Sequence, residues 1–135
     1  MGETADARPE EVQFVLAWHA EEDGGLTGEL RVRNTSSRRV RLAGKPGLQP
    51  VGVDGVPLDT ECVVTLELVL PGYVDIDPGD EASAPVGWAG WDGPPASGEV
   101  VVQWPGGGSR VTVSGPRQPE SAGPATNLWS SWFER

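Results

Sequence analysis

Apolar residues recur at every second position along most of the chain. In residues 26–33 (LTGELRVR), apolar or small side chains alternate with Thr, Glu and Arg. This period of two is typical of a strand with one face in a core and the other in water. The same alternation, complete or in part, occurs in residues 12–18, 39–42, 82–88, 98–104 and 109–115.

Turn-forming residues separate these segments. Asp54-Gly55 between two valines predicts a hairpin, and Asp77-Pro78-Gly79-Asp80 predicts a tight turn. Residues 98–104 and 109–115, joined across Pro105–Gly108, predict a closing hairpin. About eight short strands without a strand–helix–strand pattern indicate an all-β fold, an antiparallel β-sandwich. Within it, the run CVVTLELVL (residues 62–70) is expected to form a well-buried strand.

The chain is expected to change character after residue 114. We predict a flexible N-terminus at 1–10, a β-sandwich domain at 11–114 and a Pro/Gly linker at 115–126. Residues 127–135 (NLWSSWFER) form a short C-terminal amphipathic segment. Its apolar residues lie at i, i+1, i+4 and i+5, which predicts one face of a short helix capped at Thr126 or Asn127. They are Leu128, Trp129, Trp132 and Phe133.

A helix of this length is unstable alone in water, so the segment must dock on something. Tethered aromatic motifs commonly enter a groove on a partner, which would be another protein or a second copy of the chain. The alternative is that the segment folds back onto its own sandwich. The sequence leaves both open.

Composition narrows the function classes. Nineteen Gly and 13 Pro exclude a helical bundle, and a net charge of −10 argues against binding nucleic acid. A single Cys excludes an internal disulfide and a cysteine-based zinc site, and no cofactor is indicated. The acidic start lacks a secretory leader, and no run is long enough for a transmembrane segment. We expect a cytoplasmic protein, or an exported one if a leader was removed.

Basic residues are concentrated in residues 31–45, which hold six of them and no acid. Arg31 and Arg33 share a strand face, as do Arg39 and Arg41 on the next strand. If the strands are neighbours, the four form a basic patch that could hold an acidic partner or a phosphate. A solvated strand face balanced by nearby acids is the favoured interpretation.

Two further groups of residues have a structural and a functional interpretation. Trp88 and Trp91 could form a platform for a sugar ring or small ligand, although a core role is favoured. The acidic run from Asp75 to Glu81 suits a tight turn better than a calcium site, so no metal is expected. Cys62 and His19 lack a third orienting group, so the sequence does not indicate an enzyme.

Several spaced motifs resemble one family. They are RNTSSR at 33–38, GKPG at 44–47, the Asp54-Gly55 hairpin, and Pro78-Gly79 followed by a small-residue strand ending in Trp88. Together they resemble the DUF4232 family of actinobacterial domains of unknown function, over roughly residues 11–115. The resemblance implies an immunoglobulin-like sandwich, usually exported or lipid-anchored, and carries no catalytic residues.

One departure bears on the compartment. Family members commonly have a Cys in the strand after RNTSSR, paired with one near the end of the domain, whereas this chain has Val40 and no late Cys. The missing disulfide is consistent with a reducing compartment. The sequence therefore predicts a non-enzymatic protein-interaction or scaffold module that docks through its C-terminal aromatic segment. A carbohydrate-binding or small-ligand-binding sandwich using Trp88 and Trp91 is the alternative.

Overall fold

Ten β-strands provide almost all the regular structure in the computed structural model, which describes residues 4–60, 62–122 and 128–135. The described residues contain no α-helix, only a 3-10 turn at Pro9–Glu11. Nothing helical there has the length and apolarity that crossing a membrane requires. The strands are β1 (Val12–Ala20), β2 (Leu26–Asn34), β3 (Val40–Ala43), β4 (Gly47–Gly52), β5 (Cys62–Val64), β6 (Tyr73–Ile76), β7 (Glu81–Trp88), β8 (Ala96–Trp104), β9 (Gly107–Ser114) and β10 (Leu128–Ser130).

Eight of the strands form one sheet, in the order β4-β8-β9-β1-β2-β7-β10-β5, and β3 pairs with β6 in a second sheet. Most pairs are antiparallel, but β1–β9 and β10–β5 are parallel. The two ends of the large sheet approach each other, since the buried Ser130 hydroxyl donates a hydrogen bond to the Pro46 carbonyl on the approach to β4. The sheet therefore curls around a single core.

The core follows from the period-two pattern. In β2, Leu26, Leu30 and Val32 are at most 3% exposed, while the intervening Glu29 and Arg31 face water. Trp18 packs against Trp88 with ring centroids 6.4 Å apart. The predicted all-β sandwich architecture is confirmed, and its immunoglobulin-like connectivity stays a prediction.

The predicted turns are also present. Gly55 has φ of 83°, a left-handed conformation that favours glycine, and Gly52 N donates to Val56 O across the turn. Asp80 N donates to Asp77 O, which closes the second turn. Trp104 pairs with Gly107 at the end of the β8–β9 hairpin.

The prediction of a well-buried strand at residues 62–70 was wrong. Only Cys62–Val64 is a strand, and Leu66 is 99% exposed. The reason is position, because β5 lies at the end of the large sheet and, of the described strands, pairs with β10 alone. Beyond Val64 the chain continues past the core without regular structure.

The N-terminal segment differs from the flexible tail predicted at 1–10. Ala7 is completely buried, and its amide donates to the Arg41 carbonyl at 2.8 Å. The Trp104 indole N–H donates to the Ala7 carbonyl at 2.6 Å. These bonds attach the described residues before β1 to β3 and β8, which the local sequence does not indicate.

The described part of the predicted linker, residues 115–122, is also attached to the sandwich. Glu120 N donates to Gly24 O, Trp91 N donates to Ser121 O, and Pro119 is buried. Residues 115–122 are therefore not a free spacer, although they are rich in Gly and Pro. The rest of the predicted linker, and the capping positions Thr126 and Asn127, lie outside the described residues.

The predicted C-terminal helix is wrong as well. Leu128–Ser130 is strand β10, inserted between β7 and β5, with Trp129 opposite Gly87 and Val63. Further along, Glu134 exchanges backbone hydrogen bonds with Ser83. An unpaired β7 edge satisfies the backbone of the segment better than an isolated helix of this length could.

An ion pair between the largely buried Glu11 and the exposed Arg38, near the start of β1, makes stability depend on pH. The Arg38 guanidinium donates hydrogen bonds to the Glu11 carboxylate, one of them at 2.7 Å, and holds the pKa of Glu11 near 2, well below its ordinary 4.5. Since the folded-state pKa is lowered, the pair stabilises the protein above pH 4.5. That contribution is lost as the pH falls through 2.

We therefore expect Glu11→Gln to lower the free energy of unfolding by about 1–3 kcal/mol at pH 7, the range for hydrogen bonds to charged groups. Urea unfolding at successive pH values should show the difference from wild type shrinking between pH 4.5 and 2. Glu10→Gln removes an equal charge from the exposed neighbour and is the control. A pH-independent difference would contradict the assignment.

Candidate functional site

The four C-terminal residues predicted to bind a partner divide into two pairs. Leu128 is fully buried and Phe133 is 3% exposed, so both belong to the core. Trp129 and Trp132 are half-buried. The Trp129 indole covers Gly87, where a β-carbon would lie 2.0 Å from Nε1. The segment is therefore built into its own sheet.

Beside this segment lies a run of exposed apolar side chains on neighbouring residues. It follows β5 and the residues after it, and we call it the apolar edge. Its side chains are Val63 (48% exposed), Val64 (51%), Leu66 (99%), Leu68 (76%) and Leu70 (80%). Contiguous exposed apolar patches on soluble proteins commonly mark interaction sites.

The C-terminal segment holds the apolar edge in place. Thr65 N donates to Ser130 O at 3.0 Å, which extends the β10–β5 pairing by one residue. The Trp132 indole N–H donates to Glu67 O at 2.9 Å. The predicted binding segment thus acts as the support for a neighbouring surface.

Lys45 adds a second support from the loop before β4. Its ammonium group donates to the carbonyls of Thr65 and Glu67, the latter at 3.0 Å, and lies 4.8 Å from the Trp132 ring centroid. One cation therefore joins the apolar edge to the C-terminal aromatic residue.

Glu67 is the one acidic side chain within residues 62–70. The Ser131 hydroxyl donates a hydrogen bond to its carboxylate, and this bond is the main reason that its pKa falls to about 2. The nearby Lys45 ammonium acts in the same direction. Glu67 is therefore ionised at neutral pH.

The backbone of the apolar edge has one bonded side and one open side. Thr65 and Glu67 both direct their carbonyls towards Lys45. Backbone groups alternate in direction along an extended chain. Those of Val64, at the end of β5, accordingly face away from β10, and if the alternation continues beyond the strand so do those of Leu66 and Leu68. Among the described strands β5 is the last of the sheet, so within that part of the chain this side is a free strand edge.

The four arginines of the predicted basic patch do not come together. Arg31 and Arg33 lie on β2 of the large sheet, whereas Arg41 lies on β3 of the small one. Arg41 Nε is 2.9 Å from Asp75, and Arg39 Nε is 3.6 Å from Asp77. Local ion pairs therefore balance the second pair, as the favoured interpretation held.

Arg31 and Trp129 both lie on the outer face of the sheet. They line a shallow depression of about 530 Å³ that also contains Val15 and His19. Arg31 Nε is 3.0 Å from the Glu29 carboxylate, so this cation is already paired. The depression therefore contains one residue of the predicted basic patch and one of the C-terminal segment, but it does not concentrate positive charge.

Trp88 and Trp91 do not form an open platform. Trp88 is fully buried, Trp91 is 7% exposed, and their ring centroids lie 5.5 Å apart in an edge arrangement. The Trp91 indole N–H donates to Pro94 O at 2.8 Å. Neither ring presents a face to a ligand in solution, which agrees with the favoured core interpretation.

The remaining candidates are also distributed through the fold. Cys62 and His19 are separated by β2, β7 and β10, and burial raises the pKa of the Cys62 thiol. Within the described ranges, no three His, Cys, Asp or Glu side chains are grouped to hold a metal. Cys62 and His19 therefore do not form a nucleophile–base pair with each other.

Sequence reasoning missed the apolar edge although one signal was present. Glu67 lies in the middle of a run that was expected to be buried, and a carboxylate is rarely fully buried without a partner. The alternation of Leu66, Leu68 and Leu70 around it predicts an extended segment with one apolar side. Sequence alone did not show that this side faces water.

Comparison with protein families agrees with the motifs. The profile of the DUF4232 family, described as a domain of unknown function, matches residues 10–130. The chain therefore belongs to this family, and the matched range includes β1 to β10. No curated protein and no solved structure matched significantly.

Proposed function

We propose that this chain is a non-enzymatic protein-interaction module that binds through the apolar edge. The observation that carries the proposal is the exposure of Leu66, Leu68 and Leu70, each at least 76%, beside a free strand edge. Leaving such side chains in water forgoes about 25 cal/mol of stabilisation per Å². A partner that covered them would recover it.

The C-terminal segment has a supporting role in this proposal. If Leu128 and Phe133 entered a groove on another chain, both would have to leave the core, at a cost of several kcal/mol. Trp132 and Ser131 instead hold Glu67 by hydrogen bonds, which orders the leucines on either side. An ordered surface loses less conformational entropy on binding.

We expect Leu66→Asp/Leu68→Asp to abolish specific protein binding, because the substitutions place two charges on the contact surface. The tagged full chain would be incubated with a cell extract supplemented with an untagged copy of itself. Retained proteins, the untagged copy included, would be quantified by mass spectrometry. We expect at least a tenfold loss of the retained set.

The matched control is Val53→Asp/Val56→Asp. These valines are 69% and 58% exposed in the Asp54-Gly55 turn, so the double substitution adds the same charge to another apolar site. Urea unfolding of both variants checks that the fold is intact. Equal retention by wild type, edge variant and control would overturn the proposal.

A further inference from the structure

We propose that the apolar edge pairs with the same edge of a second copy of the chain. The two segments run antiparallel, and Leu66 of one copy lies opposite Leu66 of the other. This inference rests on the proposed function and specifies the partner. The assembly would be a twofold dimer in which two eight-stranded sheets join across β5 and its continuation.

The backbone supports strand pairing at this place. Thr65 and Glu67 use their inward carbonyls for bonds to Lys45 and Trp132, so these carbonyls do not compete for the second copy. The outward groups belong to Val64, Leu66 and Leu68, which are 51%, 99% and 76% exposed. These three alternate residues would provide the hydrogen bonds of a short antiparallel ladder.

The register follows from charge. If Leu66 is opposite Leu66, Val64 faces Leu68 and Thr65 faces Glu67. A shift of one residue would place the outward-facing Leu66 opposite Glu67, whose carbonyl faces inward, and the backbones could not pair. A shift of two residues would place the ionised Glu67 opposite its own copy, and like charges directly opposite each other destabilise a sheet. The Leu66-centred register avoids that repulsion and keeps the outward residues in hydrogen-bonded pairs.

Side-chain chemistry favours a second copy over an unrelated strand. If the extended conformation of β5 continues, Leu66 and Leu68 lie on the same side of the segment as Cys62, which packs against the core. In the Leu66-centred register, leucines and valines of the two copies become cross-strand neighbours on this side. The same alternation on both partners makes the edge self-complementary, as a twofold interface requires.

Net charge opposes the association and supplies a test. Each copy carries −10, so the dimer brings two strongly acidic bodies together. Added salt screens that repulsion and leaves apolar contact intact. Dimerisation should therefore strengthen as NaCl is raised, whereas a contact held by opposite charges would weaken.

Sedimentation of the full chain from about 1 µM to about 1 mM tests the dimer. We expect a reversible monomer–dimer equilibrium that tightens with salt, at least a tenfold weakening in Leu66→Asp, and no change in Val53→Asp. A mixture of Leu66→Asp and Leu66→Lys should restore dimerisation, because the two charges face each other. A wild-type chain monomeric throughout, or a dimer unaffected by Leu66→Asp, would overturn the inference.

Cross-linking tests the register. In a Cys62→Ser background, Leu66→Cys should form an intermolecular disulfide on oxidation, since hydrogen-bonded antiparallel partners have Cα atoms about 5.5 Å apart. Glu67→Cys should cross-link much less, and more cross-linking at 67 than at 66 would contradict the register. If the chain is monomeric but retention of other proteins still depends on Leu66 and Leu68, this inference fails and the proposed function stands. If the retention of no protein depends on Leu66 and Leu68, the dimer inference and the proposed function both fail.

Discussion

Leu128→Ala is expected to lower the free energy of unfolding by about 2–5 kcal/mol, the range for truncating a buried leucine. Leu128 is fully buried in β10, between β7 and β5. The substitution removes core contacts and leaves a cavity, and it also weakens the strand that supports the apolar edge. Urea unfolding of the full chain measures the effect.

The control for this prediction is Leu66→Ala, which is the same chemical change at a side chain that is 99% exposed. At a protein concentration where the chain is monomeric, its effect on stability should be within about 0.5 kcal/mol. Similar losses at both positions would mean that the C-terminal segment is not part of the folded core. Docking of Leu128 on another chain, the interpretation predicted from sequence, would then regain support.

Gly115→Ala is expected to cost about 2–5 kcal/mol, from two separate causes. Gly115 has φ of 88°, and a residue with a β-carbon loses about 1–2 kcal/mol in this left-handed conformation. An added β-carbon would also lie 2.1 Å from the Trp18 carbonyl oxygen, so the backbone of β1 or of residue 115 must move. Forced overpacking of this kind adds about 1–3 kcal/mol.

Gly79→Ala separates the two causes. Gly79 has φ of 85°, almost the same as Gly115, but a β-carbon there would meet no heavy atom within 4 Å. Its cost in thermal or urea unfolding should therefore be limited to about 1–2 kcal/mol. If both alanine variants lose the same stability, the close approach of Gly115 to β1 is not present in solution.

Much of the fold could be predicted because its strands are amphipathic. The alternation through β1, β2, β7 and β8 predicted which side chains enter the core, and Trp88 was correctly favoured as a core residue. The Asp54-Gly55 turn was predictable because its conformation depends on local residues. The order of the strands in the sheet was not predictable, because it depends on contacts between residues that are distant in sequence.

The candidate site shows the opposite case. Residues 62–70 are apolar at every even position and at two of the four odd ones, so the local pattern indicates one apolar side but not whether another part of the protein covers it. Leu128 and Phe133 likewise fitted a helix, because their spacing also places apolar side chains together in that conformation. In each case the outcome depended on whether β7 had an unpaired edge for the C-terminal segment.

Period-two alternation, abundant Gly and Pro, and net charge of −10 were sufficient to specify an acidic all-β protein and the position of most of its strands. These are properties of short segments or of the whole composition, and they do not depend on which strands become neighbours in the sheet. The position of the C-terminal segment and the exposure of Leu66 were determined only by the assembled sheet. Insertion of β10 between β7 and β5 buries one apolar run and leaves the other at the sheet edge, a choice made by long-range pairing.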